Sequence, residues 1–162
     1  MPRFMLDTDI CSFIMKRSHP QVLKRLQSVP VGDVCMSLVT KAELLYGVEV
    51  SPRHAQDAAS LAAFLPYVDA LDLTNDTAIH YAEIRADLKK RGAMISANDL
   101  FIAAHARALG LTLVTNNVAE FETRARSVTQ ELDTAVTPAA VRRLELTNVL
   151  RNGATEQVDT SS

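Results

Sequence analysis

Apolar positions along the chain fall into two patterns, short continuous runs and longer stretches spaced three or four residues apart. Arg3 to Leu6 is a run that ends at Asp7, and Ile10, Phe13 and Ile14 follow on one helical face, which predicts a strand and then a helix over Asp9 to Arg17. His19-Pro20 opens a second helical segment, Gln21 to Val29, bounded by Pro30 and Gly32. Asp33 to Leu38 reads as a second strand, and Ala42, Leu44, Leu45 and Val48 give Thr40 to Val48 a helical period. An Ala-rich helix is expected over Arg53 to Leu65, a third strand over Val68 to Leu73, and a helix over Asp76 to Arg91 that Gly92 terminates. Ser96 starts another helix, through Leu109, with Gly110 as its stop, and Leu111 to Thr115 is the fourth strand. Strands alternating with helices imply an α/β fold whose mainly parallel sheet is covered on both faces. From about Thr123 the periodicity weakens until Thr137-Pro138, a good N-cap and first helical residue, opens a segment ending near Asn152-Gly153. The polar stretch from Gly153 to Ser162 reads as a disordered tail.

Composition narrows the class without choosing a function. The 162 residues suit one domain, and 48% hydrophobic with 22% charged residues is ordinary globular usage, which excludes collagen-like, mucin-like and wholly disordered chains. No apolar run approaches the ~20 residues of a membrane span, and the first residues lack the apolar stretch of a signal peptide, so the expectation is a cytoplasmic protein with no membrane partner. Cys11 and Cys35 sit in apolar segments with neither CxxC spacing nor His neighbours and read as small core hydrophobes. A net charge of −2 gives no basic coat for nucleic acid, although clustered acids can mask a local basic patch in the sum.

The acids are better placed than their number suggests. Asp7 ends the first strand, Glu43 lies on the helix after the second, Asp99 begins the helix before the fourth, and Glu120 follows that strand. Ligands of open parallel sheets collect outside the carboxyl ends of the strands, where these acids are expected to converge. Carboxylates about 5 Å apart repel by roughly 3 kcal/mol at an effective dielectric of 20, a cost that a cation relieves. All-oxygen donors favour Mg²⁺ or Mn²⁺ over zinc. Capping competes with this reading: Thr40-x-x-Glu43, Ser96-x-x-Asp99 and Asn117-x-x-Glu120 each fit a helix start in which the acid returns to the cap backbone, and Asp9 is a candidate cap for its own helix. Asp7 resists that dismissal, because a carboxylate at a buried strand-to-helix junction is costly unless capped, paired or metal-bound.

Four blocks in order, Met5-Leu-Asp-Thr-Asp-Ile10, Ser37-Leu-Val-Thr-Lys-Ala-Glu-Leu-Leu-Tyr-Gly47, Ser96-Ala-Asn-Asp-Leu-Phe-Ile-Ala-Ala-His105 and Leu113-Val-Thr-Asn-Asn-Val-Ala-Glu-Phe121, resemble the PIN-domain ribonucleases, and specifically the VapC toxins of type II toxin-antitoxin systems. The resemblance implies a PIN-like three-layer α/β/α sandwich with a central, mainly parallel sheet of four or five strands over residues 1–128, with 129–162 as a divergent extension. It implies Mg²⁺-dependent endonucleolytic cleavage of RNA, such as a tRNA, with Asp7, Glu43, Asp99 and Glu120 as the catalytic acids and Asp7 and Asp99 as metal ligands. It also implies a VapB-like antitoxin that inserts a basic residue into the acidic site, and a homodimer. Where many relatives have Asp, this chain has Asn117, so the fourth carboxylate comes from Glu120 or is missing.

Around these acids, Thr8 and Thr115 are candidate hydrogen-bond donors to a phosphate or an acid, and Asn116 and Asn117 are candidate orienters of a carboxylate. His105, inside an apolar helix, reads as a buried structural histidine. Lys16-Arg17, Lys24-Arg25 and Arg85 with Lys89-Lys90-Arg91 are the basic groups available to RNA. Two rival readings stand beside the nuclease. Asp7-Thr-Asp9 resembles the start of a haloacid-dehalogenase-type phosphatase, for which Thr115-Asn-Asn is a poor late motif; alternatively, the Asn117 substitution or the altered C-terminus leaves a catalytically impaired PIN-fold binding module.

Overall fold

The computed structural model describes residues 1–115. Glu120, Asn116, Asn117, the helix expected from Thr137 and the polar tail lie outside them. Strands β1 (Phe4–Leu6), β2 (Val34–Ser37), β3 (Asp69–Leu71) and β4 (Thr112–Val114) form one parallel sheet in the order β3-β2-β1-β4. Met5 is in register with Cys35 on one side and Leu113 on the other. Because side chains alternate across a strand, these three share one sheet face, while Leu6, Val34 and Met36 share the opposite one.

Each face is covered. Helices α1 (Thr8–Lys16), α2 (Pro20–Gln27), α3 (Leu38–Glu49) and α4 (His54–Phe64) bring Ile10, Val22, Leu44 and Leu61 onto Leu6 and Met36. On the other face, α6 (Ala97–Ala108) packs Ile102 and Ala106 against Met5, Cys35 and Leu113. The far side of α6, Leu100 and Ala104, meets Ile84 and Leu88 of α5 (Asn75–Lys90). The result is the three-layer α/β/α sandwich with a parallel sheet that was expected. Cys11 and Cys35 are buried free thiols within it, and burial pushes the Cys35 thiol up to about 11.

Boundaries follow local chemistry. Gly92 and Gly110 both adopt φ of 64°, and the next residue's N–H reaches back five positions, Ala93 to Leu88 at 2.9 Å and Leu111 to Ala106 at 2.8 Å, which closes α5 and α6. Two expected starts are corrected. The second strand stops at Ser37, whose Oγ accepts from Val39 N at 3.2 Å, so α3 begins at Leu38 and not at Thr40. Helix α1 begins at Thr8 because Asp7, not Asp9, is its cap. The third strand is also shorter than its apolar run, since a single 3₁₀ turn at Leu65–Tyr67 leads directly into it.

The order of the strands locates the functional edge. From β1 the chain moves to β2 on one side, and it later returns to place β4 on the other. The carboxyl ends of β1 and β4 therefore flank the topological switch point, where a crevice opens in folds of this kind.

Candidate active site

Asp7 stands at that switch point and belongs to both elements that meet there. Its N–H donates to the Val114 carbonyl at 3.1 Å, extending the β1–β4 ladder, and its own carbonyl accepts from Cys11 N at 3.1 Å as the first bond of α1. Its Oδ1 accepts from Ile10 N at 2.8 Å and caps the helix. Thr115, just past β4, adds a side-chain hydrogen bond to the same carboxylate. The carboxyl group is thus held rigidly, and it is only 6% exposed.

Burial carries an electrostatic cost there. Loss of hydration, with smaller contributions from the charges of Asp9 and Asp99, outweighs the Thr115 and Ile10 hydrogen bonds and raises the Asp7 pKa from 3.8 to about 6.

Helices α3 and α6 bring in the other acids. Glu43 is the sixth residue of α3, so it has no part in capping that helix. Its Oε2 accepts from Thr8 Oγ1, and its Oε1 accepts from Asn98 Nδ2 at 2.8 Å, which ties α3 to the starts of both α1 and α6. Asp99 occupies the third position of α6. Its N–H donates to Ser96 Oγ at 3.1 Å, and the Ser96 hydroxyl donates to Asp99 Oδ2 at 2.6 Å. Capping therefore explains part of the Asp99 geometry, while α6 still delivers that carboxylate to the same cleft as Asp7. The cleft has a volume of about 790 Å³, and its lining includes Asp7, Thr8, Asp9, Glu43, Asn98 and Asp99. Three of the four acids singled out in the sequence thus share one site, and the fourth, Glu120, lies outside the described residues.

The donor set suits a hard divalent cation. Among the described residues no group of three or more acidic, His or Cys side chains is placed to hold a metal ion. Glu43 is engaged by Thr8 and Asn98. Asp7 and Asp99, whose charges already repel, are the carboxylate pair expected from the sequence, and Asp9 shares their cleft. Mg²⁺ is commonly held by one or two carboxylates, with water and substrate phosphate completing its shell, and an all-oxygen pair fits that habit.

His105 is buried and belongs to the scaffold, as expected. Ser37 Oγ already accepts from Val39 N, so its proton is available to His105 Nδ1 at 3.0 Å, which sets the neutral tautomer with hydrogen on Nε2. Nε2 faces the Asp72 carbonyl without closing a good hydrogen bond, and burial lowers the His105 pKa. The sequence reading missed Asn98, and it missed the apolar part of the cleft lining, Val39, Tyr46, Leu73 and Phe101. Tyr46 and Phe101 lie within one helical turn of Glu43 and Asp99, and that spacing was the available signal.

Comparison with known proteins shows the family. The PIN domain family matches residues 4–125. Ribonuclease VapC2 of Haemophilus influenzae is 42% identical over 122 residues, covering 75% of this chain and 92% of its own length. The tRNA(fMet)-specific endonuclease VapC of Shigella flexneri is 41% identical with the same coverage. Among solved structures, DNA-bound VapBC from Salmonella typhimurium superposes with a TM-score of 0.70 at 37% identity, covering 75% of this chain and 92% of that one. VapBC2 from Rickettsia felis, bound to a promoter DNA fragment, gives 0.69 at 32% identity with the same coverage.

Proposed function

Because the chain belongs to the PIN-domain family, and within it to the VapC ribonucleases, we propose that it is the toxin of a toxin-antitoxin pair, a Mg²⁺-dependent endoribonuclease acting on tRNA. The observation that carries this reading is the meeting of Asp7, Glu43 and Asp99 in one cleft at the switch point of the sheet. Asp7 and Asp99 would hold the metal, Mg²⁺ or Mn²⁺, which when bound lowers the pKa of a water and offsets charge on the phosphodiester.

The chain's own groups account for the rest. Two hydrogen-bond donors fix Glu43 in orientation, as suits a group that positions an attacking water or takes its proton. Burial disfavours the ionised form of Asp7, a cost that a bound cation would offset. Glu120 is the proposed fourth acid. A tRNA is the proposed substrate because the relative from Shigella is named for one.

The same acids give the antitoxin its target. A VapB-like partner that places a basic side chain between Asp7 and Asp99 would offset their repulsion as a metal does, and would exclude both metal and substrate. A homodimer is part of the proposal. The impaired binding module is the less favoured reading, because Asp7, Glu43 and Asp99 line one cleft. Among the described residues no helix is long and apolar enough to cross a membrane.

The test is cleavage of purified tRNA with end mapping, in Mg²⁺ and in EDTA, by the wild-type chain and by Asp99→Asn. Discrete cuts that vanish with EDTA and with the substitution are expected. Undiminished cutting in EDTA would overturn the metal-dependent reading, and absence of cutting by the wild type in Mg²⁺ would overturn the nuclease.

A further inference from the structure

The cleft contains a physical puzzle that its acids do not resolve. Its described lining has three aspartates and a glutamate and no lysine or arginine, yet the proposed substrate is a polyanion. Without a cation phosphates are repelled by that lining, so the attraction its own side chains can add is toward uncharged portions of the RNA. The remaining lining supplies a surface for them: Tyr46 and Val39 on α3, Phe101 on α6, and Leu73.

Two of these are flat rings with contrasting support. Tyr46, one turn beyond Glu43, is 68% exposed, so its ring is open to a ligand. Phe101, two residues after Asp99, is half-buried and backed by Tyr81, with ring centroids 4.2 Å apart and planes 24° from parallel. Arg85 completes the stack. Its Nη1 donates to Tyr81 Oη at 3.0 Å, and its guanidinium carbon lies 5.7 Å from the Tyr81 ring. The stack of Arg85, Tyr81 and Phe101 is therefore pre-ordered on one side and ends in the cleft on the other, which keeps the entropic cost of docking a planar group low.

We propose that Tyr46 and Phe101 are stacking platforms for unpaired nucleobases next to the scissile phosphate. The inference deepens the ribonuclease reading and rests on it. Base–aromatic stacking is worth roughly 1–3 kcal/mol per base and tolerates any sequence, since every base has a π-face. It requires bases that are not paired, so the site selects loops and single strands over duplex RNA. Each ring shares a helix with a functional acid, so stacking also sets the register of the phosphate against the carboxylates.

The test uses fluorescence anisotropy with a labelled oligoadenylate of about eight nucleotides, within the usual site size for single strands, and with an abasic chain of equal length, both in Ca²⁺ buffer. Wild type, Tyr46→Phe, Tyr46→Ala and Phe101→Leu are compared, with tRNA cleavage in Mg²⁺ and sedimentation mass measured for each. Tyr46→Ala and Phe101→Leu are expected to weaken oligoadenylate binding by roughly five- to a hundredfold. Tyr46→Phe should retain it, and all four proteins should bind the abasic chain equally weakly. If the wild type cleaves tRNA while Tyr46→Ala binds oligoadenylate as tightly as wild type, the stacking inference falls and the ribonuclease stands. If the wild type neither binds nor cleaves, both fall. Equal losses on the abasic chain, or a change in mass that accompanies the loss, would make Tyr46 a contact for a second copy of the chain and overturn the inference.

Discussion

Replacing Asp7 with Asn should stabilise the metal-free protein at neutral pH, although it removes a carboxylate proposed to hold the metal. The folded chain raises the Asp7 pKa from 3.8 to about 6, chiefly by burial. An acid that binds its proton more tightly when folded stabilises the fold fully below pH 3.8, and that stability is lost as pH rises through about 6. Above that, the ionised group costs about two pKa units, or ~3 kcal/mol. Asn is neutral at every pH, its carbonyl oxygen can still cap Ile10 N, and its amide can donate to the Thr115 hydroxyl. It therefore escapes most of the penalty, and a gain of about 1–3 kcal/mol at pH 7.5 is expected. For a domain of this size that is roughly 2–4 °C in Tm per kcal/mol. The assay is thermal unfolding by circular dichroism in EDTA, from pH 4 to 7.5, on both proteins. The advantage of Asn should disappear toward pH 4, because all other titrating groups are shared. Adding Mg²⁺ should then raise the wild-type Tm more than that of the variant. A variant less stable than wild type at pH 7.5, or a difference that does not change with pH, would refute the argument that burial of this carboxylate carries a cost.

Three further outcomes are expected. Ser37→Ala removes both the cap of α3 and the partner of buried His105 Nδ1, so it should cost about 1–3 kcal/mol, read as a lower midpoint in urea; an unchanged midpoint would mean the pair contributes nothing. Asn98→Ala frees one oxygen of Glu43 at an exposed position, so stability should move by no more than about 0.5 kcal/mol while tRNA cleavage falls roughly ten- to a hundredfold; equal rates would show that the orientation of Glu43 is irrelevant. Glu120→Gln should weaken Mg²⁺ binding and cleavage much more than Asn117→Ala, because Gln preserves a helix cap but not a ligand charge; isothermal titration of Mg²⁺ into both variants decides it, and the reverse order would overturn Glu120 as the fourth acid.

Much of the described fold was decided locally and was therefore legible in the chain. The period of Ile10, Phe13 and Ile14, the stops at Gly92 and Gly110, and the Ser96 cap act within a few residues of their own positions, and each has the predicted effect. Errors fell where two apolar elements join without punctuation. Met36-Ser-Leu-Val39 is continuous in character, and only the hydroxyl of Ser37, shared between Val39 N and His105, shows where β2 ends. Asp7 and Asp9 are equally good caps on paper. The sheet chose Asp7, because its N–H was already tied to Val114 of a strand far along the chain.

The site divides in the same way. Acid positions and their types could be read from residue order, since the parallel alternation of elements predicts one carboxyl edge. What only the tertiary structure decided is what each acid experiences there. Burial raises the Asp7 pKa, Thr8 and Asn98 from two other helices hold Glu43, and Tyr46 and Phe101 face the same cleft as the acids. Periodicity places a residue on its own element, whereas solvation, through-space charge and cross-element hydrogen bonds depend on distances that exist only once β1, α3 and α6 have packed together.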